Sequence, residues 1–229
     1  PTDVITDEDV PNDGEYDPNG EQAPTSGEVP NSGEEPSGEE VTNPGEYPTD
    51  GSATEEPADN DSTSSSQLFF SEYAEGSSNN KYLEIYNPTN QAISLNGYAF
   101  PNVNGDPSEV GEHEYWNTFT QDAEIAAGGT YLIAHPDADA SIVELADETH
   151  QYLSNGDDGY ALVQGTEDDY VIIDTLGDFN ADPGSGWDVA GISNATKDHT
   201  LVRKSTVFTG NPDWNNSRGT TESDSEWIV

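Results

Sequence analysis

Apolar residues are spread unevenly along the chain, and where they gather they tend to alternate with polar ones. Residues 68–100 read LFFSEYAEGSSNNKYLEIYNPTNQAISLNGYAF. Leu68 and Phe70, then Tyr82, Ile85 and Tyr86, stand in partial alternation with polar residues, the pattern of half-buried β-strands. AEGSSNN between them predicts a turn, because Gly and Asn tolerate left-handed backbone and Ser and Asn side chains bond their own main chain. Asn87-Pro88 and Asn96-Gly97 predict two further turns, one before a short run with Ile93 and Leu95, the other before Tyr98-Ala99-Phe100.

Past Phe100 the pattern predicts a polar loop over 101–111 and a strand over 114–120 (EYWNTFT), with Tyr115, Trp116 and Phe119 competing for the core. A turn at 127–129 leads into a strand at 130–134. Residues 139–146 are the one good helix candidate: Asp139 or Ser141 could cap it, and Ile142 and Leu145 share a face. A turn at 155–158 precedes a hairpin of 160–163 and 170–175, then come a strand at 200–204 and a last piece at 227–229. About nine strands divided by Gly, Asn and Pro turns predict an all-β domain, a sandwich.

The same residues carry a family resemblance. SEYAEGSSNNKYLEIYNPT followed by ISLNGYAF resembles the opening of a lamin tail domain, in the form seen in bacterial extracellular proteins and secreted nucleases. GYALV at 159–163, DPG at 182–184, HTLVRKS at 199–205 and SEW at 225–227 continue it, so that it covers residues 68–229. The resemblance implies an immunoglobulin-like β-sandwich that serves as an attached module and not as a catalyst.

Composition removes the first third of the chain from the folded part. Residues 1–66 hold nine prolines, nineteen acidic residues, no Lys or Arg, and ten hydrophobic residues among which there is no Leu, Phe or Trp. Such a segment cannot bury enough apolar surface to offset an ordering cost of about 1–2 kcal/mol per residue. Its loose Pro-Gly-Glu theme (PNDGEYDPNG, PNSGEEPSGEE, NPGEYPTDG) has no fixed period. The expectation is a disordered acidic linker or stalk at 1–66, held open by Pro stiffness and self-repulsion, ahead of a sandwich domain at 67–229.

The net charge is −42; residues 67–229 alone set twenty-eight acidic against five basic residues, a net of −23. Phosphate neutralisation supplies most non-specific affinity for nucleic acid, so direct nucleic-acid binding is not expected from this chain. Acidity of this degree favours solubility in salt and attraction of cations, which suits a salty extracellular setting. With no cysteine there is neither a disulfide framework nor a thiolate metal site. No apolar run approaches the ~18–20 residues of a membrane span. A chain that begins at Pro1 and holds no Met reads as a processed or excised piece.

Three constellations bear on chemistry. Gly177-Asp178-Phe179-Asn180 (GDFN) after an apolar strand matches a motif of the endonuclease/exonuclease/phosphatase class, and Asp198-His199 could mimic its terminal Asp-His pair. That class needs an α/β fold with several helices, so the match reads as coincidence. Asp178, Asn180 and Asp182, spaced i, i+2, i+4, could point three oxygens at one hard cation. An EF-hand is excluded, because Pro183 and Val189 stand where Gly and Glu are needed. A looser Ca²⁺ site built from these residues with Asp157 or Asp158 is the metal expectation, against a turn-forming role for the same side chains. His113, His135, His150 and His199 are scattered beyond metal-ligand spacing, and no nucleophile elbow accompanies them. On a strand Arg203 and Lys204 face opposite ways, so they make no basic patch.

The sequence therefore predicts a non-catalytic, extracellular or cell-surface lamin-tail-like module whose partner is another protein or a neighbouring domain of its parent chain. In one class it is an accessory of a secreted nuclease or other hydrolase. In the other it is a free-standing surface module for structure or adhesion.

Overall fold

Alternation assigns one face of each strand to the interior, and the strands pair so that these faces meet. The computed structural model describes residues 67–229. The acidic linker expected at 1–66 lies outside the described residues. In chain order the elements are β1 (Phe69–Glu75), β2 (Lys81–Tyr86), β3 (Ile93–Ser94), β4 (Tyr98–Ala99), β5 (Asn102–Val103), β6 (Glu124–Ile125) and β7 (Thr130–Ala134). There follow α1 (Ala140–Val143), β8 (Glu148–Thr149), β9 (Gly159–Thr166), β10 (Asp169–Leu176), β11 (Thr200–Arg203), α2 (Trp214–Arg218) and β12 (Trp227–Ile228).

One sheet runs β12-β11-β1-β2-β7-β8, antiparallel except where β8 lies parallel to β7. A second runs β10-β9-β4, with β5 also pairing with β9, and β3 and β6 form a small two-stranded sheet. Leu83, Ile85, Ile133 and Leu201 from the first sheet meet Tyr160, Leu162, Ile173 and Leu176 from the second in one buried core. Trp187, Trp214 and Trp227 belong to the same core, stacked edge to face at 6.2 and 6.5 Å. The other face of the second sheet has a smaller cluster of Ala99, Val103, Ala161, Val163 and Phe179. The fold is an immunoglobulin-like β-sandwich: the strand pattern predicts the sandwich, and the family resemblance implies its immunoglobulin-like form.

Two bulges decide which side chains enter. In β1 the register with β2 shifts between Phe70 and Glu72. Phe70 is in the core before the shift and Tyr73 after it, so the inward parity changes from even to odd. In β10 the shift lies between Ile172 and Asp174. Tyr170 and Ile172 pack on the outer cluster, while Asp174 and Leu176, of the same parity, are buried on the inner side. A bulge adds one residue to one strand and so exchanges its faces. This is how an aspartate comes to lie between the sheets.

The structure corrects three expectations. Residues 114–120 form no strand; their backbone pairs with β4 and β5 only through isolated bridges, Thr118 with Ala99 and Tyr115 with Asn102. The reason is local: the Asn102 carbonyl accepts from both Glu114 and Tyr115 N–H (3.0 and 3.1 Å), a doubled pairing that a regular ladder cannot continue. The helix expected over 139–146 shrinks to α1 and buries none of its residues, and Leu145 is exposed. Asp139 makes no capping bond, its carboxylate accepting instead from the Asn80 amide at 2.9 Å. A second helix, α2, was not expected. It has a recognisable start and stop, Asp213 accepting from Asn216 N–H at 3.2 Å and Gly219 at φ 62° behind it.

Candidate binding cleft

One group of charges is bonded together inside the sandwich. Asp174 on β10 is fully buried and Arg203 on β11 nearly so. Arg203 Nη2 donates to Asp174 Oδ2 at 2.5 Å, Nη1 to Glu226 Oε2 at 2.5 Å and to Ser217 Oγ at 2.8 Å, and Nε to the Phe70 carbonyl at 3.1 Å. Phe70 N–H returns a bond to Asp174 Oδ2 at 2.7 Å, and Asn211 N–H donates to Oδ1 at 2.8 Å. The guanidinium lies 4.1 Å over the Trp227 ring. Burial raises the Asp174 carboxyl above its ordinary range, while Arg203 and the two N–H groups pull the other way. Since the paired register of β1 and β11 ends at Glu72, Phe70 is left free to bond this pair. The network fastens β10, β11, α2 and the start of β12 to the bulge of β1. It is a structural clamp, its charges buried at Asp174 and Arg203 and open to solvent only at Glu226.

The residues singled out for chemistry have local duties. Gly177, at φ 88°, ends β10 where an added Cβ would meet Gly159 Cα at 2.7 Å and Asp158 O at 2.8 Å. Phe179 plugs the outer cluster. Asp178 Oδ1 accepts from Asn180 N–H at 2.8 Å and from its amide at 2.5 Å, and Asp182 Oδ1 accepts from Gly184 N–H at 2.6 Å. Both carboxylates thus close turns two residues long. Among the described residues no group of three or more His, Asp or Glu is placed to hold a metal ion. Asp157 and Asp158 line a different depression from the one lined by Asp178 and Asn180. Exposed His199 bonds the Lys197 carbonyl through Nδ1 at 2.6 Å, and among the described residues no hydrogen bond joins it to Asp178. His113 packs between Trp116 and Tyr170, and His135 is buried. Arg203 and Lys204 do face apart: Lys204 Nζ bonds the Glu222 and Ser225 carbonyls.

A surface of another character lies where the irregular segment 114–120 passes β5. Asn102, Asn104, Tyr115, Asn117, His150 and Tyr152 line a cavity of about 440 Å³. Asn117 Nδ2 donates to the Phe100 carbonyl at 3.1 Å and to Asn102 Oδ1 at 2.9 Å, which orients both amides. Asn102 Nδ2 in turn reaches Asn104 Oδ1 at 3.3 Å. The His150 ring stands edge-on to Phe100 at 5.5 Å and to Tyr152 at 6.0 Å. Burial holds its imidazole below the ordinary histidine range. Tyr152 is 75% exposed and Tyr115 50%. A second cavity of about 370 Å³ shares Asn104 and Tyr152 with the first, and continues past Gln151 and Asn155 to Asp157 and Asp158.

At the end of the second cavity Asp158 is raised to about 7, by burial first and then by Asp157, with Lys81 opposing. Lys81 itself is buried, donating to Asn155 Oδ1 at 2.6 Å and lying 3.8 Å from Glu75. Sequence reasoning passed over this cleft, since it has no motif. Its side chains come from β5, from the loops after β5 and β8, and from a segment read as a strand. The one available signal was the amide-rich spacing of Asn102, Asn104 and Asn117 beside tyrosines in segments with poor alternation.

The lamin tail domain family matches residues 61–178, just over half of the chain. A search of curated proteins finds no match. Residues beyond the matched stretch, Arg203, Trp214 and Trp227 among them, pack into the same core and clamp as the matched ones. This family is one of non-catalytic, immunoglobulin-like domains, and both the fold and the matched stretch agree: the chain belongs to the lamin tail domain family.

Proposed function

We propose that this chain is a non-catalytic binding module of an extracellular protein, an accessory to a secreted nuclease or other hydrolase. The observation that carries the reading is the division of polar groups. Asp174 and Arg203 are consumed by the clamp, Lys81 by Asn155 and Glu75, the GDFN residues by their own turns, and the cleft of Asn102, Asn104, Tyr115, Asn117, His150 and Tyr152 keeps accessible polar groups but lacks a nucleophile–base pair. Attachment to a nuclease is supported by the resemblance of 68–100 to the form found in such proteins, and an extracellular setting by a net charge of −42 without cysteine.

The test is direct. The purified chain, given DNA, RNA or a phosphate ester with Mg²⁺ or Ca²⁺, is expected to show no turnover. Turnover that vanishes in Asp178→Ala would overturn the reading. The parent gene then separates accessory from free-standing module: a hydrolase domain in the same polypeptide supports the former, and a wall or membrane anchor with no enzyme contradicts it.

A further inference from the structure

Asn117, His150 and Tyr152 line the first cavity, and among the described residues no hydrogen bond is made by Asn117 Oδ1, the Tyr152 hydroxyl or the His150 ring nitrogens. Asn104 Nδ2 has only a 3.5 Å approach to the Tyr115 hydroxyl. Amides held in place by their neighbours, yet with donors and acceptors left over, are preorganised to bind without ordering cost. The lining therefore combines two accessible aromatic faces, at Tyr115 and Tyr152, with uncharged groups that both donate and accept.

We propose that this cleft binds a neutral oligosaccharide, with a sugar ring laid on Tyr152 and its hydroxyls bonded by Asn104, Asn117 and His150. The proposal rests on the reading of the chain as a binding module and names the ligand of that module. A sugar hydroxyl is at once donor and acceptor, and a primary amide offers one of each in a plane, so the two are matched. The C–H face of a pyranose is apolar and covers an aromatic ring that would otherwise stay in water. The extension into a second cavity across Asn104 and Tyr152 favours a chain of sugar units over a single one.

Charge excludes the main competitors. Residues 67–229 carry a net of −23, and Asp157 and Asp158 stand on the second cavity, so phosphorylated, sulfated and nucleic-acid ligands are repelled. The first cavity has no carboxylate in its lining to hold a cation. A proline-rich peptide also suits aromatic grooves. The one such segment in this chain, residues 1–66, is acidic, with nineteen carboxylates and no basic residue, and is repelled in the same way.

The experiment is calorimetric titration of the full chain with cellohexaose, xylohexaose, mannohexaose and chitohexaose in turn. At least one is expected to bind with a dissociation constant between about 10 μM and 1 mM. Tyr152→Ala and Tyr115→Ala should each weaken it by about tenfold or more, as removal of an aromatic anchor does. Phe208→Ala, an exposed aromatic outside the cleft lining, should leave it unchanged. Failure of all four sugars to bind overturns the proposal, as does binding that Tyr152→Ala leaves intact. A synthetic peptide of residues 24–50 that binds and is lost in Tyr152→Ala would assign the cleft to peptide instead. Failure of sugar binding in a chain that also shows no phosphodiesterase activity removes the ligand and leaves the module; phosphodiesterase activity removes the module reading itself.

Discussion

The clamp around Arg203 and the cleft around Tyr152 are both polar, and they are opposites. In the clamp all three guanidinium nitrogens donate and both Asp174 oxygens accept, behind a wall of Phe70 and Trp227. In the cleft the amides bond one another just enough to be oriented, and the remaining groups face open volume. A buried polar group costs stability unless it is paired, whereas an accessible one keeps its water until a ligand replaces it. Satisfied polar groups therefore mark architecture, and oriented but unsatisfied ones mark binding. Charge alone misleads here: the Arg203–Asp174 pair is buried and serves no accessible surface.

The comparison breaks first at the clamp. Arg203→Met leaves Asp174 buried without its counter-ion, and a loss of about 3–5 kcal/mol in chemical denaturation is expected. Replacing both partners, Asp174→Leu with Arg203→Met, should recover part of that loss, because the fully buried Asp174 charge is removed while Glu226 and the Phe70 and Asn211 N–H groups still lose their partners. Two single losses that simply add would show that the pair is not coupled.

A smaller effect belongs to Asp158, at the end of the second cavity. Its folded carboxyl titrates at about 7, well above the ordinary aspartate range, through burial and the neighbouring Asp157. The folded state therefore binds this proton more tightly than the unfolded state does. The stability it contributes is complete below about pH 4 and is lost as the pH rises toward 7. Asp158→Asn should match the wild type near pH 4 and exceed it by about 1–3 kcal/mol at pH 8. Equal stabilities at pH 8 would show that the carboxylate stays solvated.

The smallest effect is expected from calcium. With Asp178 Oδ1 and Asp182 Oδ1 engaged in their own turns, millimolar Ca²⁺ should raise the melting temperature no further than NaCl of matched ionic strength. An excess shift that disappears in Asp182→Asn would mean that the turns open to form a site.

Much of the sandwich was legible because alternation survives wherever one face of a strand is buried. The strands at Lys81–Tyr86 and Thr130–Ala134 follow it. Pairings of two residues, such as β5, β6 and β8, are too short to register a period. The bulges in β1 and β10 were hidden for another reason. They exchange faces in mid-strand, so Asp174 reads as a solvent residue although it is fully buried. Residues 114–120 look like a strand because Tyr115, Trp116 and Phe119 are bulky, yet only Phe119 reaches the main core. For the cleft, spacing offered only the amides at 102, 104 and 117, since Asn102 and Tyr152 meet only through the fold.

A binding role for the cleft requires that its aromatic rings be free for a ligand and not needed by the fold. Denaturant unfolding of the Tyr115→Ala/Tyr152→Ala double variant decides it. Because both rings are at least half exposed, the double variant should unfold within about 0.5–1 kcal/mol of the wild type, with an unchanged denaturant slope. A loss of about 3 kcal/mol or more, the size expected of the clamp, would show that the tyrosines hold the sandwich together and are not a binding surface.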